Sequence, residues 1–270
     1  MRKLVLATIT GGIVGAVIIL LFMFVFDINK RHEEEGLRLV SNDSTDNTID
    51  RKQKVLMYGE YKDLDSTDYL LIPLGMKTLD NPRGMRSKAS ISSSGNENTN
   101  AGNYRNFRYN FYSLTFEECN NIIFYNKKTE ETHLLLQKPA IISRFYFPYY
   151  DKEYKDKKYW FILVGIHEDD SNTDGYINGE DAEKIYAADL AGANLIQITP
   201  DNTQLDDWYI EGSTNSVLLK VRHDSNNDQK FNDYDEVEIL KVQIGNFAQG
   251  RAIINSEIKN NIQGILKKIK

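Results

Sequence analysis

The longest apolar run in the chain comes first: Leu4 to Phe26 carries no charged residue. As a helix at ~1.5 Å per residue it spans roughly 34 Å, enough to cross the hydrocarbon core of a bilayer. Phe22-Met-Phe-Val-Phe26 runs straight into Asp27-Ile-Asn-Lys30, without the small residues of a signal-peptide cleavage site. An uncleaved anchor is therefore expected over residues 1–29. Arg2 and Lys3 before the run balance Lys30 and Arg31 after it, so the positive-inside bias is slight. The short leading tail favours a signal anchor with the bulk of the chain on the extracytoplasmic side. Gly11, Gly12, Gly15 and Ala16 form a small-residue face that suits helix pairing, although glycine is frequent in membrane helices generally.

Residues 30–51 change character. Lys30 to Val40 reads as a short helix with Glu33, Glu34 and Glu35 on a solvated face, and Ser41 to Thr48 has almost no apolar content and reads as a flexible tether. A folded domain is expected over residues 52–255. Its apolar positions fall in short runs rich in β-branched and aromatic residues, partly alternating, which predicts strands. Val55–Tyr61 and Asp68–Leu74 suggest a hairpin, and further strands are expected at Tyr159–His167, Glu183–Asp189, Ser216–His223 and Glu236–Ile244. Asn81 to Asn106 is a long polar stretch, expected to be disordered, with a partner-binding loop as the alternative. Arg105 and Arg108 beside Tyr109 and Tyr112 suit either an ordinary aromatic strand or an acidic or sugar ligand. Phe145 to Tyr150, followed by the charged tip 151–158, reads as a hairpin. From Ser256 the period changes: Ile258, Ile262, Ile265, Leu266 and Ile269 predict an amphipathic helix over 256–270, capped by Ser256.

Between the predicted strands lie two polar loops of the same design. Asp170 to Asp181 reads DSNTDGYINGED, and Asp224 to Asp235 reads DSNNDQKFNDYD; their first residues lie 54 apart (224 − 170). Hard cations such as Ca²⁺ take six to eight oxygen ligands, supplied by a twelve-residue loop from positions 1, 3, 5, 7, 9 and 12. The first loop offers Asp170, Asn172, Asp174, the Tyr176 carbonyl, Asn178 and Asp181. The second offers Asp224, Asn226, Asp228, the Lys230 carbonyl, Asn232 and Asp235. Gly175 stands at the sharp turn of the first loop, whereas Gln229 stands there in the second, so the second site is expected to be the weaker. Asn and Asp are also common in metal-free turns, and it is the repetition of every ligand position that favours two calcium sites.

The spacing resembles dockerin-type and EF-hand loops, with Asn at position 9 and Asp at position 12. An aspartate at position 12 reaches less far than the usual bidentate glutamate, which implies structural or extracellular-grade sites. The flanking runs are strand-like rather than helical, so each loop is expected to close a β-hairpin. A second echo relates Asn121–Gln137 to Lys184–Pro200, each strand, polar turn, strand. The stretch IYAADLAGANLIQITPD resembles a TolB-like β-propeller blade, and this resemblance covers about residues 120–250. It implies a partial propeller or an open stack of antiparallel β-meanders, with a β-sandwich as the remaining possibility.

Composition narrows the function. A net charge of −6 without a basic stripe argues against nucleic acid, and the 16 Tyr and 12 Phe suit a β-rich core. Cys119 is the only cysteine, so no intramolecular disulfide is possible and bound calcium is the expected staple. The chain lacks a G-x-S-x-G elbow, a phosphate-cradling glycine loop and an H-E-x-x-H zinc motif, and His167 and His223 beside the loops read as structural. The expectation is a non-enzymatic, single-pass protein of the cytoplasmic (inner) membrane, its calcium-binding domain on the periplasmic side and facing a protein or glycan partner. The alternatives are an accessory subunit of a membrane complex and a propeller-type hydrolase.

Overall fold

A computed structural model describes residues 37–38, 55–64, 67–77, 85–94, 109–148, 161–211 and 213–267. The expected membrane run, the tether, Arg105, Arg108 and the charged tip 151–158 lie outside these residues. Among the described residues no helix is long and apolar enough to cross a membrane. The chain forms β1 (Leu37–Arg38), β2 (Val55–Tyr58), β3 (Lys62–Asp63), β4 (Tyr69–Lys77), β5 (Arg86–Ser94) and β6 (Tyr109–Asn126). There follow β7 (Thr132–Leu134), β8 (Ile141–Pro148), β9 (Ile162–His167), β10 (Tyr176–Ile177), β11 (Lys184–Ala188) and β12 (Ile196–Gln197). The last elements are β13 (Thr203–Glu211), β14 (Ser216–His223), β15 (Val237–Gln243), β16 (Arg251–Ala252) and the helix α1 (Ser256–Leu266).

The fold is mainly β, and its described strand pairs are antiparallel. Ten strands form one sheet along the path β12-β11-β9-β8-β6-β4-β2, with β3, β5 and β7 paired beside it. Strands β13 to β16 form a four-stranded meander in sequential order. Strand β9 explains why the two sheets belong together. All six of its residues are buried, and alternate side chains serve different cores. Ile162, Val164 and Ile166 join Leu71, Phe124 and Phe145 on one face. Leu163 turns the other way, meeting Ile185 of β11 and Val217 and Leu219 of β14. The second core therefore lies between the sheets, and burying each large apolar side chain there contributes about 1.5–3 kcal/mol.

The two echoed segments form equivalent hairpins, β6–β7 and β11–β12. Asn126 caps the first turn by accepting from the Lys128 and Thr129 N–H groups, and Asp189 caps the second by accepting from Ala191 and Ala193. The turns meet, since a His133 ring nitrogen lies 2.7 Å from the Ala191 carbonyl while that ring stacks on Phe124. Gly192 adopts φ +73 and leaves no room for a Cβ against the Phe124 ring.

Several expectations change. Within 30–40, Leu37–Arg38 is a strand rather than helix, pairing with Tyr176–Ile177. Within 81–106, Arg86–Ser94 pairs along Tyr109–Glu117, so this serine-rich stretch is strand through its backbone ladder. Helix α1 is capped by Asn255, whose side chain accepts from the Ile258 N–H at 2.9 Å, and not by Ser256, which is already its first helical residue.

Replacing Gly192 by Ala forces a left-handed backbone on a residue with a Cβ and overfills the Phe124 site. A loss of roughly 2–4 kcal/mol is expected, read as a lower urea midpoint. A midpoint equal to that of the parent protein refutes the packing assigned to these two turns.

Candidate metal centre

Each candidate loop closes a hairpin, as the flanking pattern predicts. The first joins β9 to β11, with Ile166 opposite Lys184; the second joins β14 to β15, with Arg222 opposite Val237. Inside the loops the backbone turns back on its own carboxylates. Asp170 accepts from the N–H groups of Asp174 (3.0 Å) and Gly175 (2.9 Å), and Asp224 accepts from Asp228 (3.1 Å) and Gln229 (3.0 Å). Asp174 accepts from Tyr176, and Asp228 from Lys230. At the far end Asp181 accepts from Ser171 and Asn178, and Asp235 from Ser225 and Asn232. The two loops thus repeat one hydrogen-bond pattern, position for position.

The backbone repeats as well. Position 6 is left-handed in both loops, Gly175 at φ +89 and Gln229 at φ +63. Position 4 is also left-handed, Thr173 at φ +59 and Asn227 at φ +57, a feature with no glycine to signal it. The serine at position 2 stands outside the ligand spacing. Ser171 Oγ accepts from the Ala182 N–H and Ser225 Oγ from the Glu236 N–H, both at 2.8 Å, so each serine latches its loop to the outgoing strand.

The loops differ in how firmly they are held. Ile177 and Asn178 are buried in the first, and β10 within that loop pairs with β1. Their counterparts Phe231 and Asn232 are only half-buried. His167, fully within the fold, places Nδ1 2.8 Å from the Asp181 carbonyl, whereas His223 places Nε2 3.2 Å from Glu238. In the second loop Arg222 takes over, donating to the Asn232 carbonyl at 2.5 Å. The histidines do unlike jobs, so they are not a repeated pair.

Burial pushes the Asp181 carboxyl upward from its ordinary value, against the N–H groups of Asn178, Ser171 and Asn172, which favour the charged form. Asn178 Nδ2 is buried without a hydrogen-bond partner. The donors that each loop carries are carboxylate, amide and carbonyl oxygens, which suit a hard cation. Among the described residues no group of three or more His, Cys, Asp or Glu side chains is drawn together as a metal-holding cluster. Asn and carbonyl donors would therefore have to complete either shell.

The loops meet across a cavity of about 410 Å³, lined by Asn172, Glu180 and Asp181 from the first and Gln229, Lys230 and Phe231 from the second, with Gln204 beside them. Thr173 Oγ1 donates to Gln229 Oε1 at 2.8 Å, joining the loops directly. Just beyond the first loop, buried Glu183 receives Arg144 and Ser143, and its own N–H donates to Gln204 at 2.7 Å. That buried acid lies outside the ligand spacing and carried no sequence signal.

Burial holds the His167 pKa down at about 4, far below its ordinary 6.5. The unfolded chain takes up this proton first as pH falls, so the stability involved is complete above about pH 6.5 and is lost between there and pH 4. On the order of 3 kcal/mol is involved. Urea midpoints measured across this window should fall steeply for the parent and less for His167→Gln; equal slopes reject the buried neutral imidazole.

No protein-family model matches this chain, and neither a curated protein nor a solved structure matches it.

Proposed function

We propose that the chain is a membrane-anchored, extracytoplasmic calcium-binding protein, a non-enzymatic module that binds or scaffolds a protein or glycan partner. One observation carries the calcium reading: two loops 54 residues apart (224 − 170) repeat the same ligand positions, the same carboxylate-to-N–H bonds and the same left-handed turns. A single Asn/Asp turn needs no cation. Two copies that agree in detail support a shared ligand, and the ligand chemistry in both is oxygen throughout.

Asp170, Asn172, Asp174, the Tyr176 carbonyl, Asn178 and Asp181 would hold one Ca²⁺. Asp224, Asn226, Asp228, the Lys230 carbonyl, Asn232 and Asp235 would hold the other. Bound cations would neutralise the negative charge that three carboxylates per loop otherwise present to each other, and would staple the ends of β9–β11 and β14–β15. The first loop is the tighter site in this reading, since it is buried at Ile177 and Asn178 and has glycine at its turn. The uncharged run Leu4–Phe26 supports the anchor, and the mainly antiparallel fold suits a blade-like or meander scaffold.

Calcium titration of the full chain in detergent tests the proposal. With extracellular-grade sites, saturation near 100 times Kd raises stability by about 2.7 kcal/mol per site, seen as a higher Tm. Asp170→Ala with Asp174→Ala should remove the stronger binding event in calorimetry, and Asp224→Ala with Asp228→Ala the weaker one. No heat and no Tm shift in millimolar calcium would end the calcium reading.

A further inference from the structure

Helix α1 presents a problem that the rest of the fold does not solve. Its eleven residues include none that is buried, although isolated helices shorter than about 12–15 residues are marginal in water. Ile258, Ile262, Ile265 and Leu266 are all exposed, Ile262 to 46% and Ile265 to 63%. At ~100° per residue these four share one arc of roughly 100°. Among the described residues, the side-chain hydrogen bonds from the helix to the domain come from its first turn. Lys259 Nζ donates to Glu236 at 2.8 Å and Glu238 at 2.9 Å, on the strand that leaves the second loop.

The segment is also basic. Lys259 borders the arc and Lys267 follows the last helical residue, and in sequence residues 256–270 carry four lysines against one acid, Glu257. The whole chain has a net charge of −6, which makes this segment a cationic exception. A parallel second copy of the segment would set the two lysine-rich ends beside each other. An anionic lipid surface pairs them instead, while the isoleucines enter the acyl boundary and the lysine stems reach back to the headgroups.

We infer that α1 lies on the membrane surface, its Ile258–Ile262–Ile265–Leu266 stripe in the bilayer interface and the lysine-rich end of the segment on anionic headgroups, Lys259 staying with Glu236 and Glu238. The inference rests on the proposed anchor only for bringing the domain beside a bilayer, and it makes no use of the calcium loops. The helix gives the domain a second point of attachment, and through Lys259 it fixes the edge of the four-stranded sheet relative to the lipid.

Hydrogen exchange on the full chain in lipid nanodiscs tests this. In phosphatidylcholine mixed with phosphatidylglycerol, amides of α1 should exchange about tenfold more slowly than in phosphatidylcholine alone. Ile262→Asp, and separately Lys267→Glu with Lys268→Glu, should remove that protection while β9 and β14 exchange as in the parent. Equal exchange in both lipids overturns the inference. So does protection already present in detergent: if concentration-dependent it identifies a second copy as the occupant, and if not, the parent domain. Should the chain fail to enter the discs, the anchor fails, and the same discs added to the free chain still read α1 by the same criterion.

Discussion

A carboxylate buried at the closing corner of each hairpin is the constraint on which this structure turns. Asp181 is 2% exposed and Asp235 7%, and each sits where its strand pair would otherwise splay. One oxygen of each accepts from the N–H at position 2 and the other from the N–H at position 9, so a single side chain spans its own loop. Charge-assisted bonds of this kind are worth about 1.5–3 kcal/mol, and an ionised oxygen left unpaired there is penalised by more. Register follows from them. With Asp181 seated, Lys184 falls opposite Ile166; with Asp235 seated, Val237 falls opposite Arg222. A one-residue slip would turn Leu163 or Val217 out of the core between the sheets, so the polar corners and the apolar core enforce the same alignment.

Much of this was legible in the sequence, for a reason that can be stated per residue. The Asp and Asn residues of the loops recur at fixed spacing because the backbone must turn back on each carboxylate in turn, and a spacing survives in sequence. The run Ile162–His167 is nearly continuous in apolar character because it has two faces to fill, whereas β13 mixes buried Leu205 and Ile210 with exposed Asp207 and Tyr209 because it has fewer. Strand β5 was illegible for the opposite reason. Arg86–Ser94 pairs with β6 through backbone groups, which every residue carries, so its serines left no periodic trace. The same holds for β1, whose two residues pair with the centre of the first loop. Asn255 and Ser256 are both good caps, and only the geometry of the Ile258 N–H separates them.

The polar residues around the loops show where spacing stops being informative. Ser171 and Ser225 latch the loops but read as ordinary turn serines, and Thr173 and Asn227 hold left-handed positions that sequence habit assigns to glycine. Glu183 is 2% exposed and engages Arg144, Ser143 and Gln204, residues 39, 40 and 21 positions away. No local pattern encodes a contact that only the completed sheet brings about. Its backbone completes the link, the Glu183 carbonyl accepting from the Leu205 N–H at 3.1 Å and so joining the strand after the first loop to the first strand of the meander.

Gln229 draws these lines together. As a lone turn residue it looks like a defect, since a left-handed backbone disfavours a residue with a Cβ by about 1–2 kcal/mol. In the folded chain its side chain reaches the first loop to accept from Thr173, itself left-handed at that loop's position 4. A hydrogen bond of this kind contributes about 0.5–1.5 kcal/mol, comparable to the strain it offsets. Glycine at 229 would relax the turn and sever the contact in the same step. The second loop is therefore shaped partly by the first, and the two behave as halves of one polar surface around the cavity. Glu236 and Glu238 extend that surface from the second loop to Lys259, so the corner that closes β14–β15 is also the one that holds α1.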